Sequence, residues 1–231
     1  MKTTRLRFAL PALLAAVAVA APAQDAANIA MKADVAAQVT DARKANATAM
    51  QQYTWDQRTE MLEDGVVKDT RVQMVNWVNG QYQKSLVSDT GPSMPRFGLR
   101  KRIAEKKKKE MQEYLSGLKT LLDQYTMGTT QAVFDFMMKA SVGAPDAQGL
   151  VAMSGGSVVS PGDSLTIWTN LASKKTQKIF VGTTYQGDPI TLTATFNTLS
   201  TGLNYMNYAD IQVPAKQLEV QVSNFNYNRN N

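Results

Sequence analysis

The sequence predicts an α+β fold: an antiparallel sheet of about nine strands, forming an unclosed half β-barrel, with helices packed on its concave face. Two blocks of residues with a period of two, 53–88 and 149–231, are cut by turn residues into strand-length runs. Segments of helical period lie before and between them. In the second block Ile190, Leu192, Ala194 and Phe196 alternate with Thr191, Thr193, Thr195 and Asn197, the pattern of an antiparallel strand with one wet face. Strand blocks set apart from helices in this way build one sheet wrapped partly around them.

Residues 25–52 are rich in Ala, lack Gly and Pro, and place Val35, Val39, Ala42, Ala49 and Met50 at helical spacings. At Tyr53 the period changes to two, with Tyr53, Trp55 and Met61 alternating with Asp56, Arg58 and Glu60. Asp64-Gly65 and Asn79-Gly80 tolerate the positive φ of tight hairpins, so strands are expected over 53–63, 66–78 and 81–88. A two-residue loop at Asp64-Gly65 puts Tyr53, Trp55, Met61, Val72, Met74 and Val78 on one face. A three-residue loop would set Glu60 opposite Lys68 but scatter the apolar side chains. The first register is preferred, because a buried face constrains pairing more than one exposed ion pair does. At the second turn Trp77 and Tyr82 become cross-strand neighbours.

After a loop with Gly91, Pro92, Pro95 and Gly98, a long helix is expected over about 99–126, with Met111, Tyr114, Leu115, Leu118, Leu121, Leu122 and Tyr125 as its apolar stripe. Stepping back from Met111 by fours meets Lys107, so the stripe stops there and the start of the helix projects from the core. A shorter helix over 130–140 turns Val133, Phe136, Met137 and Ala140 to one side. Beyond Gly149 the turns at Pro161-Gly162-Asp163, Gln186-Gly187-Asp188-Pro189, Thr201-Gly202 and Val213-Pro214-Ala215 separate about six strands.

Composition narrows the chemistry. The chain has 231 residues, 25 Lys plus Arg against 19 Asp plus Glu, and neither His nor Cys. Imidazole- and thiol-based nucleophilic catalysis, zinc sites of the usual N/S kind and disulfides are thereby excluded. Lys2, Arg5 and Arg7 precede the apolar run 9–20 and then Ala21-Pro22-Ala23, which reads as a secretory signal peptide over 1–23. The run is too short to span a bilayer, and no Cys follows the cleavage site to be acylated. Residues 24–231 form one domain, expected to be soluble in the periplasm or secreted. Their net charge is +3, yet eight basic and two acidic residues between Arg96 and Glu110 carry a local +6.

The strand Tyr53-Thr54-Trp55-Asp56-Gln57-Arg58-Thr59-Glu60, its hairpins and the segment Gly98-Leu99-Arg100-Lys101-Arg102-Ile103-Ala104-Glu105-Lys106 resemble an uncharacterised family of secreted bacterial proteins over roughly residues 45 to 227. The order helix, strands, helices, strands also resembles the lipoprotein-carrier (LolA/LolB-like) fold. That likeness implies an apolar hollow receiving acyl chains.

Several constellations bear on function. Ser116-Gly117-Leu118-Lys119 matches S-x-x-K, but the K-T-G partner is absent, Lys175-Thr176-Gln177 being the nearest, and chance explains so short a motif. Asp56 and Glu60 share a strand face with Arg58, a self-neutralised solvated face rather than an acid–base pair. Arg100, Lys101, Arg102 and Lys106 to Lys109 suit either a solvated helix start or docking on an anionic membrane surface. With only Phe97 among the basic residues there is no stacking platform for nucleic acid. Eleven methionines after Met1, together with Tyr53, Trp55, Met61, Val72 and Met74 on one sheet face, suggest a soft lining for a hydrophobic small molecule or acyl chain, or else a face packed solidly on the helix 111–125. The expected function is a non-enzymatic binding or carrier protein that uses no metal or cofactor. The rival is a solid-core interaction module acting through its basic helix. Neither reading sets an oligomeric state.

Overall fold

The computed structural model describes residues 21–91, 99–126 and 130–230. Helix α1 (Ala21–Met50) leads into the strands β1 (Tyr53–Glu63), β2 (Val66–Val78) and β3 (Gln81–Asp89). Helices α2 (Leu99–Thr126) and α3 (Thr130–Lys139) follow, and then β4 (Ser141–Val142), β5 (Leu150–Gly156), β6 (Ser164–Asn170), β7 (Lys175–Tyr185), β8 (Asp188–Thr198), β9 (Asn204–Val213) and β10 (Leu218–Arg229). The first two hairpins turn on Asp64-Gly65 and Asn79-Gly80, all four residues at positive φ, as two-residue loops between twisted strands require. α1 starts four residues earlier than its periodicity suggests and ends two earlier, with Gln51 and Gln52 turning the chain into β1.

The ten strands make one antiparallel sheet in the order β3-β2-β1-β10-β9-β8-β7-β6-β5-β4, an unclosed half-barrel. The strand beyond the expected nine is β4, a two-residue piece on β5. β1 pairs with β10, so the N-terminal hairpins join the C-terminal meander through the two most distant strands of the chain. The register shows which residues share the concave face. Met153, Ile167, Ile179 and Ala194 are successive cross-strand partners, as are Leu165, Val181, Leu192 and Ile211.

The helices fill the concave face over this half of the sheet. Tyr114, Leu118, Leu122 and Tyr125 of α2, Phe136 and Met137 of α3, and Ala36 and Val39 of α1 are buried against Met153, Leu165, Ile167, Ile179, Val181, Ile190 and Leu192. At the start of α2, Arg102 and Lys106 to Lys109 are all exposed. α2 is tied to the sheet at two points. The Tyr114 hydroxyl donates to Asp188 at 3.0 Å, and Asp188 in turn meets Lys216 at 3.3 Å. One residue from its end, Tyr125 donates to the buried Asp163 at 2.6 Å.

Candidate ligand-binding site

The face expected to line a ligand site does not form as the hairpin rule predicts. The Asp64-Gly65 turn is indeed a two-residue loop, with Glu63 opposite Val66 and Leu62 opposite Val67. A bulge then intervenes: Met61 pairs with Asp69, leaving Lys68 as the extra residue, and the parity of every later pair is reversed. Trp55 lies opposite Val75, Arg58 opposite Val72 and Asp56 opposite Met74. Tyr53, Trp55 and Met61 therefore share the concave face, whereas Val72 and Met74 stand on the convex face among charged residues. Burial agrees, since Val75 is 1% exposed and Met74 40%. This one extra residue divides the apolar side chains of the hairpin between the two faces.

Trp55 is the centre of a row of rings crossing adjacent strands. Tyr82 of β3 meets it edge-on at 5.3 Å, and Tyr227 of β10 stacks on it at 5.4 Å with an interplanar angle of 14°. Trp77 extends the row beyond Tyr82 at 4.7 Å, and Tyr205 extends it beyond Tyr227 at 4.4 Å. The expected pairing of Trp77 with Tyr82 is thus observed. Such offset contacts are favourable beyond the apolar area they bury. Met61, lower on β1, is half-buried and packs against the helix-filled core, so at that position the solid-core expectation holds.

A polar row runs beside the rings. The Trp55 indole donates to Asn224 Oδ1 at 3.2 Å, Gln57 Nε2 donates to the same oxygen at 2.9 Å, and Asn224 Nδ2 donates to the Met206 carbonyl at 2.9 Å. Lys84 Nζ completes the row by donating to Gln57 Oε1. Lys84 pairs with Val75 in the ladder and so belongs to the concave face with Trp55. Its neighbours at two-residue spacing, Tyr82 and Leu86, are 40% and 60% exposed, so the concave side of β3 is open.

The exposed concave side of β3 and the ring row beside it form a trough on which charges of α2 act. Lys119 and Asp123 act electrostatically on Lys84, and Lys108 acts on Asp69 at the far end of β2. Partial burial pushes the Lys84 ammonium below its ordinary value; Lys119 adds to that and Asp123 opposes it. Burial likewise raises the Asp69 carboxyl, helped by Asp89 and opposed by Arg71 and Lys108. Burial also raises the phenols of Tyr82 and Tyr227.

The chain resembles in its overall course a DUF1329 family protein from Desulfovibrio piger, a member of an uncharacterised family. The TM-score is 0.40 at 6% sequence identity, over 87% of this chain and 92% of that one. No family model and no curated protein matches the sequence.

The remaining sequence-level candidates fall elsewhere. Lys119 of the S-x-x-K match is ion-paired with Asp123. Asp56 accepts from Asn226 at 2.9 Å and Glu60 from Arg58 at 2.5 Å, both on the convex face, as a self-neutralised surface requires. Arg100 and Lys101 lie in the first turn of α2 with side chains outside the described residues, as is the whole of Arg96. Among the described residues no group of three or more acidic side chains could hold a metal ion. No helix among them is long and apolar enough to cross a membrane.

The site members that sequence reasoning missed are Gln57, Tyr82, Lys84, Asn224 and Tyr227. Gln57 and Lys84 had a usable signal, each standing two residues from an aromatic side chain on the same strand. Asn224 and Tyr227 had none, because nothing local announces that β10 will pair with β1.

Proposed function

We propose that this protein is a non-enzymatic binding or carrier protein for a hydrophobic ligand with an acyl or comparable apolar chain, and that it works in the periplasm after cleavage following Ala23. The observation that carries the reading is the difference between the two halves of the concave face. Over β5 to β8 it is covered by helices, whereas along β3 it leaves Tyr82 and Leu86 exposed beside the ring row centred on Trp55. An apolar, aromatic-lined concavity with a few placed polar groups is the usual form of a small-molecule site. The non-enzymatic reading is supported by the lack of His and Cys, and by the ion pair that occupies Lys119.

Tryptophan fluorescence under titration with palmitate tests this directly. A saturable change, with copurified lipid in native mass spectra of protein isolated from the periplasm, is the expected result. Without either, the second reading takes over: an interaction module working through its basic helix on an anionic membrane. It rests on the exposure of Arg102 and Lys106 to Lys109.

A further inference from the structure

We propose that the ligand of the β3 trough is an amphipathic anion whose headgroup is held by Lys84 while its chain lies on Tyr82, Leu86 and Trp55. This rests on the hydrophobic-ligand reading and specifies the chemical class of that ligand. Three observations carry it, the first being position. Tyr82, Lys84 and Leu86 occupy alternate positions of β3, so the cation is flanked on the same face by an aromatic and an aliphatic side chain, both exposed. A neutral apolar ligand would leave that ammonium facing hydrocarbon, an unfavourable arrangement.

The second observation is the orientation of the ammonium. Lys84 Nζ donates to Gln57, which is held by Asn224, which is anchored on the Met206 carbonyl. A surface lysine is normally free to swing into water, whereas this one is fixed at the end of a chain of hydrogen bonds crossing four strands. Its partner there is a neutral amide. An ammonium has three donors, and Gln57 takes one of them.

The third is charge. Lys119 and Asp123 of α2 both act electrostatically on Lys84, and Asp123 is paired with Lys119. One positive charge is therefore left over among these three groups. A single anionic headgroup balances it. A carboxylate and a phosphate monoester share the required chemistry, acceptor oxygens carrying negative charge at the end of an apolar chain.

The test compares dodecanoate, dodecyl phosphate and dodecanol as titrants by calorimetry and tryptophan fluorescence, with the full chain and its Lys84→Met, Lys84→Gln and Lys84→Arg variants. The parent is expected to bind at least one anion about tenfold more tightly than dodecanol, the scale of one hydrogen bond to a charged group. The tighter of the two anions tells a fatty acid from a phosphorylated lipid. Lys84→Met and Lys84→Gln should abolish the preference while dodecanol binding persists, and Lys84→Arg should keep most of it. Dodecanol binding by either neutral variant also shows that it is folded. Equal affinity of the parent for anion and alcohol, or a preference that survives both neutral substitutions, overturns the role of Lys84 and leaves the hydrophobic-ligand reading standing. Binding of none of the three titrants overturns that reading and this inference with it.

Discussion

A β-carbon on Gly117 of α2 would overlap the hydroxyl of Tyr185 at the end of β7 and stand 2.8 Å from the ring carbon that bears it. This glycine is therefore required by packing and not by backbone conformation. Tyr185 is held there by Tyr114, whose ring meets it edge-on at 5.2 Å. Two effects of Gly117→Ala compete. Alanine improves the helix by about 0.8–1.0 kcal/mol. Overpacking costs about 1–3 kcal/mol, and swinging Tyr185 away also forfeits the edge contact. The steric cost is the larger, so Gly117→Ala should lower stability by about 1 kcal/mol in urea denaturation. In a Tyr185→Ala background the same substitution should become stabilising. An unchanged sign would show that Tyr185 does not set the cost.

Asp163 provides a pH-dependent anchor for the other end of α2. Burial alone would raise its carboxyl, but hydrogen bonds from the Ser160 amide, the Tyr125 hydroxyl and the Val159 and Val158 amides outweigh burial and hold it below the ordinary carboxylate range. The three amides lie at 2.7 to 2.8 Å. Tyr125 is pushed up to about 12, by burial first and by Asp163 second, so it remains a donor throughout the physiological range. A depressed folded value means that this stabilisation is complete above the unfolded value of about 3.9 and is lost as pH falls through the folded one. Asp163→Asn should cost about 1.5–3 kcal/mol at neutral pH, the scale of hydrogen bonds to a charged group. The gap between parent and variant should close below about pH 4. A gap independent of pH would mean that the carboxylate's charge contributes nothing.

Element boundaries were legible because their signals are local. The change of period at Tyr53, the turn residues at 64–65 and 79–80 and the apolar stripe from Met111 to Tyr125 each act within a few residues. The bulge at Lys68 was not legible: Val67-Lys68-Asp69 carries no glycine to mark it. The half of the site on β1 could therefore be read, in Tyr53, Trp55 and Met61. The half on β2 was inverted, because a single extra residue turns every later side chain to the other face. Lys84 depends on that same parity, through Val75, and on the pairing of β1 with β10 that orients Gln57. Non-local pairing of this kind leaves no mark in a single sequence.

Met74 and Val75 test the register directly. Val75 is buried on the concave face opposite Trp55, while Met74 is exposed opposite Asp56. Val75→Ala removes two buried methyl groups and should cost about 2 kcal/mol. Met74→Gln, on the solvated face, should stay within about 0.5 kcal/mol. Equilibrium unfolding of the two variants separates the registers, because pairing without the bulge at Lys68 would reverse their order.

The basic start of α2 allows a prediction in which stability and binding part company. Lys106 pairs with Glu110 at 3.8 Å and Lys109 with Glu113 at 3.7 Å, all four side chains more than 60% exposed. Exposed helix pairs of this spacing contribute about 0.3–0.5 kcal/mol each. Replacing Lys106 to Lys109 together by Gln should therefore lower stability by no more than about 1 kcal/mol. If the segment docks on anionic membranes, the same replacement should remove most of the affinity for vesicles containing phosphatidylglycerol. Attraction between exposed charges is screened beyond about 8 Å at physiological ionic strength, so the parent's binding should also fall steeply from low to moderate salt. Co-sedimentation with vesicles measures both effects. If the quadruple variant sediments as the parent does, or the parent ignores the vesicles at low salt, these lysines serve only to keep the start of the helix in water.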